Sequence, residues 1–212
     1  PENGISRWTL DDDDTDNGNI IDVWNGYNGS IDGATTGIQG PTVTYDAGEA
    51  YSFDGDNDKV TLPTFSESKW SIAAWSYWPE SSSKHDASIG WGSTDGGGGE
   101  SRIQFRSDRI RTYVNGSSYI PTFTEELDTW KFYTLTCDGS GYTYYIDGSK
   151  YDDSNLSTNL SEFDNHEIGK VSFKDNVGTK GNYTKCDVSD YRIYKKSLTP
   201  TEVSNLYTTG SI

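Results

Sequence analysis

The feature that most constrains the fold of this chain is a repeated alternation of short apolar runs with tight-turn residues. Between Ile5 and Tyr194, runs of four to eight residues rich in Trp, Tyr, Ile, Val and Thr end in Gly, Asp, Asn or Ser. Such runs are typical of strands, and their close spacing is typical of an antiparallel sandwich. The sequence therefore predicts an all-β fold.

Nine runs predict strands, and shorter strands are expected around Ser30, Ser88 and Ile168. The nine are Arg7–Leu10, Ala50–Phe53, Lys59–Leu62, Trp70–Trp78, Ser101–Arg106, Arg109–Val114, Trp130–Cys137, Tyr142–Ile146 and Val188–Tyr194. Two hairpins are expected, one across the glycine-containing turn 138–141 and one across Ser107 and Asp108. The four consecutive glycines within 95–99 predict a mobile surface loop.

The one predicted helix lies near the C-terminus. Thr199-Pro200-Thr201-Glu202 matches a capping box with proline at the first helical position. No internal repeat or linker divides the 212 residues, and sandwiches of this length commonly form one unit. We therefore expect a single domain over residues 1–212, a two-sheet antiparallel jelly-roll sandwich with a short C-terminal helix.

The formal net charge of −16 limits the partners of the chain. Such a charge repels duplex nucleic acid and anionic lipid, so we expect neither as a general partner. Membrane insertion is not expected either, because no stretch approaches the roughly 20 apolar residues that span a bilayer. The chain starts at Pro1 without a charged-then-apolar leader, which fits a cleaved leader or an initiator Met removed before proline.

The two cysteines, Cys137 and Cys186, are too few for a disulfide scaffold and too far apart in sequence for a zinc site. Each lies near the end of a predicted strand. Two alternatives stay open at this stage, a single disulfide between them or two buried thiols.

Short motifs occur in a characteristic order along the chain. They are Arg7–Asp11, Trp24–Ser30, Tyr51–Val60, Trp70–Trp75, Trp130–Thr136, Tyr145–Gly148, Ile168–Gly169, Asp190–Tyr194 and Leu198–Val203. Their order resembles that of the laminin-G-like jelly-roll modules of the concanavalin A-like family. The resemblance implies a fold that carries lectins, adhesion modules, enzyme accessory domains and a minority of glycan-cleaving enzymes.

A run of acidic residues indicates a candidate cation site. Asp54-Gly55-Asp56-Asn57-Asp58 places three carboxylates and an amide at a turn between strands. Calcium takes six to eight oxygen ligands, and such a turn supplies several of them. Members of the resembled family often hold calcium at one rim, so Asp190, or a member of Asp11 to Asp14, is expected to complete a structural calcium site with Asp54, Asp56 and Asp58. The alternative is that these side chains only build a tight turn.

Four of the six arginines fall within ten residues. If Ser107 and Asp108 form a two-residue turn, Ile103, Phe105, Ile110 and Thr112 share one face of the hairpin. The opposite face is then a predicted ligand-binding surface of Arg102, Gln104, Arg106, Arg109, Arg111 and Tyr113. Guanidinium groups bind carboxylate or sulfate in a bidentate way, so the expected partner is an acidic glycan or an acidic partner protein. The alternative is neutralisation by acidic residues of the chain itself.

Aromatic side chains could also stack on a sugar ring. Most aromatic residues of Trp70–Trp78 are expected in the core, because strand alternation divides them between two faces. Trp91, between Gly90 and Gly92, is the predicted exposed residue.

No predicted strand carries the paired carboxylates that glycan hydrolysis requires, and only His85 and His166 could serve as imidazole bases. The sequence therefore predicts a non-catalytic, surface-exposed binding module with lectin-like glycan recognition. Its acidic composition fits an extracellular or virion-surface protein, such as a virion accessory, capsid decoration or host attachment protein. The alternatives are a structural subunit of a homo-oligomer or of a virion shell or tail, and a glycoside hydrolase or lyase or its carbohydrate-binding accessory domain.

Overall fold

The computed structural model describes residues 3–43, 45, 47–80, 87–94, 101–175 and 178–212. The predicted glycine loop at 95–99 and His85 lie outside these residues. The strands are β1 (Gly4–Trp8), β2 (Thr15–Asp16), β3 (Asn19–Ile20), β4 (Gly29–Asp32), β5 (Thr35–Gln39), β6 (Glu49–Asp54), β7 (Lys59–Thr61), β8 (Trp70–Tyr77), β9 (Ile89–Gly92), β10 (Arg102–Arg106), β11 (Arg109–Val114), β12 (Ser117–Tyr119), β13 (Lys131–Cys137), β14 (Tyr142–Ile146), β15 (Ser149–Ser154), β16 (Asn165–Ile168), β17 (Lys170–Asp175), β18 (Gly178–Tyr183) and β19 (Lys185–Tyr194). The helix α1 spans Pro200–Thr209, and short 3₁₀ turns span Asp12–Asp14 and Leu160–Glu162.

The described strands form two large antiparallel sheets. Sheet A has the order β15-β14-β13-β8-β19-β6-β5, with β1 also paired to β19. Sheet B has the order β12-β11-β10-β9-β16-β7-β4-β3-β2, and β17 and β18 form a separate hairpin. The predicted two-sheet sandwich with a short C-terminal helix is confirmed.

Strand alternation on β8 shows how the core is built. Trp70, Ile72 and Ala74 face the interior between the sheets, whereas Ala73 and Trp75 face outward into a second apolar cluster. That second cluster is completed by α1, which therefore covers the outer face of sheet A.

The helix α1 begins with the predicted capping box. The Thr199 side chain accepts from the backbone N–H of Glu202, and the Glu202 side chain accepts from the backbone N–H of Thr199. None of the described helical segments has both the length and the apolar composition needed to traverse a lipid bilayer.

The hairpin β17–β18 lies against the outer face of sheet B and was not predicted. A Cβ atom at Gly90 would lie 2.5 Å from Cβ of Val171, and one at Gly92 would lie 1.8 Å from the carbonyl oxygen of Ser172. These two glycines therefore create the space in which β17 packs. This segment carries no strand signal, because Gly178–Tyr183 contains two glycines and no apolar alternation.

Of the two alternatives for the cysteines, the disulfide is not formed, and Cys137 and Cys186 are both buried free thiols. Cys137 pairs with Trp70 at one end of β8, whereas Asp187, the neighbour of Cys186, pairs with Tyr77 at the other end. The two ends of β8, Trp70 and Tyr77, lie roughly 23 Å apart along the strand. A disulfide needs Cα atoms about 4.4 to 6.8 Å apart. Burial raises the pKa of both thiols, which keeps them protonated.

Candidate ligand-binding face

The β10–β11 hairpin has the predicted register. Arg106 pairs with Arg109 across the turn, and Ile103, Phe105 and Ile110 lie in the core between the sheets. The opposite side chains therefore share the outer face of sheet B. We call this surface the arginine face, and it consists of Arg102, Gln104, Arg106, Arg109, Arg111 and Tyr113.

Arg102 lies at the covered edge of the arginine face. Its guanidinium carbon is 4.0 Å from the ring centroid of Phe173 on β17 and 4.6 Å from that of Tyr113. Arg102 is consequently buried, and its cation–π contacts attach the β17–β18 hairpin to sheet B. The prediction that Arg102 is available to a ligand is therefore wrong, because the side chain stacks between two rings.

The two arginines at the turn differ in their partners. Arg109 donates from Nε to Oδ1 of Asp108 over 2.9 Å and forms an ion pair with that carboxylate. Arg106 is buried, and in the described part of the chain it makes no ion pair and its Nε has no hydrogen-bond partner. Burial and the nearby charge of Arg111 lower the pKa of Arg106 to about 10, so it still carries its charge at neutral pH.

Gln104 adjoins Arg106 on the same face of β10. Its side chain is buried, and Oε1 has no hydrogen-bond partner among the described residues. A buried polar atom without a partner is costly, and an unpaired buried guanidinium more so. The arginine face thus contains a buried cation and a buried amide oxygen whose hydrogen-bonding capacity is not met by any group in the described part of the chain.

Glu167 on β16 was missed by the sequence analysis as part of this face. Gln104 and Glu167 both pair with Gly90, so the three share one cross-strand row. Oε1 of Glu167 is 3.6 Å from Nζ of Lys170, and the carboxylate is buried. Alternation within Asn165–Ile168 was the signal that could have placed Glu167 opposite the core-facing Ile168.

Trp91 is not an exposed sugar-stacking residue. It is completely buried, it stacks on His166 with ring centroids 3.8 Å apart, and its Nε1 donates to the hydroxyl of Tyr191 over 3.0 Å. The prediction was wrong because alternation on β9 turns Trp91 and Ile89 into the core. The flanking glycines face outward and receive β17 instead of exposing the indole.

His166 is a core residue rather than a candidate base. Nδ1 lies 2.8 Å from the carbonyl oxygen of Pro63, which can only accept, so Nδ1 carries the proton. Nε2 then accepts from the hydroxyl of Tyr191 over 2.7 Å. Burial lowers the pKa of His166 to about 3, so the ring is neutral under ordinary conditions.

The structure does not bring Asp190 to the Asp54–Asp58 turn with which it was predicted to bind calcium. Asp190 is buried between Arg7 and Arg192, each donating from Nε to its carboxylate over 2.8 Å. It also lies about 16 Å along β19 from Lys185, the residue that pairs with Asp54. The prediction that Asp190 completes the site is therefore wrong.

Within the Asp54–Asp58 turn, the carboxylates bind backbone groups of the turn itself. Asp54 accepts from the N–H groups of Asp56 and Asn57, and Asp58 accepts from the N–H of Asp54. The first of these bonds is the main cause that lowers the pKa of Asp54. Among the described residues, no group of three or more acidic, histidine or cysteine side chains is placed to hold a metal ion. The arrangement fits a self-closed turn better than a calcium site.

The two large antiparallel sheets, packed face to face, define a jelly-roll sandwich. Residues 54–204 match the laminin G family model described as the concanavalin A-like lectin/glucanases superfamily. The chain belongs to this superfamily. No curated protein matches the chain in sequence.

Several solved structures share this fold at low sequence identity. Domain 4 of AbnA, a GH43 extracellular arabinanase from Geobacillus stearothermophilus in complex with arabinotriose, is 18% identical with a TM-score of 0.71, over 96% of this chain and 97% of that one. The sialidase of Trypanosoma rangeli in complex with sialic acid is 13% identical with a TM-score of 0.68, over 98% of this chain and 33% of that one. The binding domain of botulinum neurotoxin serotype D is 14% identical with a TM-score of 0.65, over 97% of this chain and 51% of that one. The chain thus spans about a third of the sialidase and half of the toxin domain.

Proposed function

We propose that this chain is a non-catalytic, surface-exposed carbohydrate-binding module that holds an anionic glycan on its arginine face. The observation that carries the proposal is the buried guanidinium of Arg106, which has no ion-pair partner among the described residues and adjoins the unpartnered Oε1 of Gln104. A carboxylate or sulfate on a sugar offers two acceptor oxygens to the guanidinium.

The relatives support the class of ligand. An arabinanase domain with bound arabinotriose, about a third of a sialidase solved with sialic acid and about half of a toxin binding domain share this fold. Because the identities are 13–18%, the charge of the ligand is inferred from the arginine face itself and not from these proteins.

Two carboxylates beside the arginine face, Asp108 and Glu167, are already engaged, which supports a binding role without catalysis. Glycosidases need two carboxyl groups that face each other across an open groove, one of them able to give up or accept a proton. Here Asp108 is paired with Arg109, and Glu167 is buried beside Lys170. Neither is free to act as one of such a pair.

The location of the module is proposed from composition. A net charge of −16 and a chain without Met suit an extracellular or virion-surface protein in a salty medium. An acidic partner protein, such as a virion shell or tail subunit or a second copy of this chain, would satisfy the same guanidinium groups. Light scattering after size-exclusion chromatography separates a self-associating subunit from a monomeric glycan-binding module.

The experiment compares a double variant, Arg106→Ser with Arg109→Ser, with the wild type. Binding is measured by affinity electrophoresis in gels containing polygalacturonate, alginate or dextran sulfate, with uncharged dextran as the reference polymer. We expect the wild type to be retarded by at least one acidic polymer, and the variant to bind about tenfold more weakly or worse, since each charge-assisted contact contributes about 1.5–3 kcal/mol. Added salt should weaken retardation of the wild type.

A charge-matched control removes two exposed lysines that lie outside sheet B, Lys185→Ser with Lys195→Ser. This variant should bind as the wild type does. The arginine variant should also melt close to the wild type, because the half-buried Arg109–Asp108 pair, formed by neighbours in the chain, contributes about 1 kcal/mol and Arg106 has no ion pair to lose. A variant that melts much lower and binds unchanged would contradict the proposal and make the two arginines structural.

A further inference from the structure

A concave site lies at the end of the sandwich, next to the hairpin turn that ends the arginine face. We call it the end cleft, and its volume is about 280 Å³. Phe123, Tyr133 and Tyr151 form its apolar side, and Glu126, Lys131 and Asp147 form its polar rim. Pockets for drug-sized ligands span about 300–1,000 Å³, so this cleft is of a size for one small ring.

The aromatic wall of the end cleft is held in place before any ligand binds. Tyr151 is exposed, yet its hydroxyl donates to the carbonyl oxygen of Thr122 over 2.7 Å and its ring meets Phe123 edge-on at 5.7 Å. The ring of Phe123 in turn contacts the buried Tyr133 at 5.7 Å. An exposed aromatic face fixed in this way loses little conformational entropy when a ring stacks on it.

The polar rim determines which ring fits. Nζ of Lys131 lies 2.9 Å from Glu126 and 3.2 Å from Asp147, so one cation is shared by two carboxylates. The net charge of the three groups is negative and disfavours an acidic sugar. Their oxygens accept hydrogen bonds from hydroxyl groups, while the nearby rings match the apolar C–H face of a pyranose.

The end cleft and the arginine face are contiguous. Ser107 lines the cleft and directly follows Arg106 in the chain. Thr122, which fixes Tyr151, forms a backbone bridge with Arg109. We propose that the end cleft binds one neutral sugar ring of the glycan whose acidic group contacts the arginine face. The inference rests on the proposed function for its ligand class but uses different residues.

The test follows backbone amide shifts by two-dimensional NMR during titration with neutral methyl glycosides of galactose, glucose, xylose and arabinose. Concentrations reach about 100 mM, because a single small ring binds weakly. At least one glycoside should shift the amides of Glu126, Lys131, Asp147 and Tyr151. Tyr151→Ala should weaken that binding about three- to tenfold, the range of a lost aromatic contact. Glu126→Gln, at an exposed position, is the second variant and should also weaken it.

The matched control is Tyr27→Ala. Tyr27 has the same exposed fraction as Tyr151, 46%, and meets Phe65 edge-on at 5.2 Å, but it lies outside the end cleft. It should leave the shifts unchanged. The inference is overturned if no glycoside shifts the cleft amides. It is also overturned if Tyr27→Ala weakens glycoside binding and Tyr151→Ala does not.

The variant Arg106→Ser separates this inference from the proposed function. It should weaken retardation by acidic polymers while the neutral glycoside still shifts the cleft amides. Cleft shifts without any binding of acidic polymers by the wild type would refute the anionic ligand and leave the cleft as a neutral sugar site. Retardation by acidic polymers without cleft shifts would support the anionic ligand and refute the neutral sugar site in the end cleft.

Discussion

The hydroxyl of Tyr191 donates to Nε2 of His166 over 2.7 Å and accepts from Nε1 of Trp91 over 3.0 Å, so that one oxygen joins two buried polar rings. Tyr191 comes from sheet A and the other two residues come from sheet B. This short network is therefore a polar link between the sheets inside an aromatic core, and all three side chains are buried. In such surroundings each hydrogen bond is costly to break.

Replacing Tyr191 by Phe should destabilise the protein strongly. The change removes one oxygen and leaves both Nε1 of Trp91 and Nε2 of His166 buried without a partner. The expected loss is about 2–4 kcal/mol in the free energy of unfolding, measured by urea denaturation. Tyr27→Phe removes a hydroxyl from an exposed ring and should change the free energy by less than about 0.5 kcal/mol. Equal effects of the two substitutions would show that the network does not contribute.

Acid should destabilise the protein through His166. Burial lowers its pKa in the folded state to about 3, and the unfolded value is about 6.5. The unfolded chain therefore binds the proton first, and the free energy of unfolding falls as pH drops from about 6.5 toward 3, by up to about 1.4 kcal/mol per pH unit. Urea denaturation at pH 7, 6 and 5 measures this slope.

The variant His166→Gln isolates that effect. It should be less stable at pH 7, and its free energy of unfolding should depend less on pH between about 6.5 and 5. Other titrating groups, such as Asp187, whose pKa is raised by burial, contribute equally to both proteins and cancel in the comparison. Parallel slopes for the two proteins would contradict the assignment.

Gly92→Ala should loosen the β17–β18 hairpin. The new methyl group would lie 1.8 Å from the carbonyl oxygen of Ser172, a backbone atom that cannot move alone. We expect a loss of about 1–3 kcal/mol and faster amide hydrogen exchange in β17. Gly181→Ala, in the same hairpin, meets the flexible end of Lys170 first, at 3.0 Å, and should have a small effect. Unchanged exchange in the Gly92 variant would refute the packing argument.

Calcium should have little effect on melting, because the carboxylates of the Asp54–Asp58 turn bind its own backbone N–H groups. Melting curves in calcium and in chelator should coincide. An ion present at a hundred times its Kd would add about 2.7 kcal/mol, or about 5–10 °C for a chain of this size. A rise of that magnitude, lost in Asp56→Asn, would establish the calcium site that the sequence predicted.

Rules that depend only on neighbouring residues were sufficient to predict which side chains form the arginine face. The two-residue turn at Ser107 and Asp108 defines the pairing of β10 with β11, and a side-chain period of two then places Ile103 and Phe105 on one side and Arg102 and Arg106 on the other. The capping box of α1 was predictable for the same reason, since its partners lie within four residues. In both cases the determining contacts are close in sequence.

The outcomes that sequence reasoning missed depend on contacts between distant segments. Only the pairing of β8 with both β13 and β19 places Cys137 and Cys186 at opposite ends of the same strand. Only the packing of β17 on Gly92 shows that this glycine accommodates a hairpin and does not expose Trp91. The sequence alone determined the fold class, the terminal helix and the basic side of one hairpin. The tertiary structure decided which polar groups are buried, paired or left without a partner, because burial depends on which distant segment of the chain packs on each face.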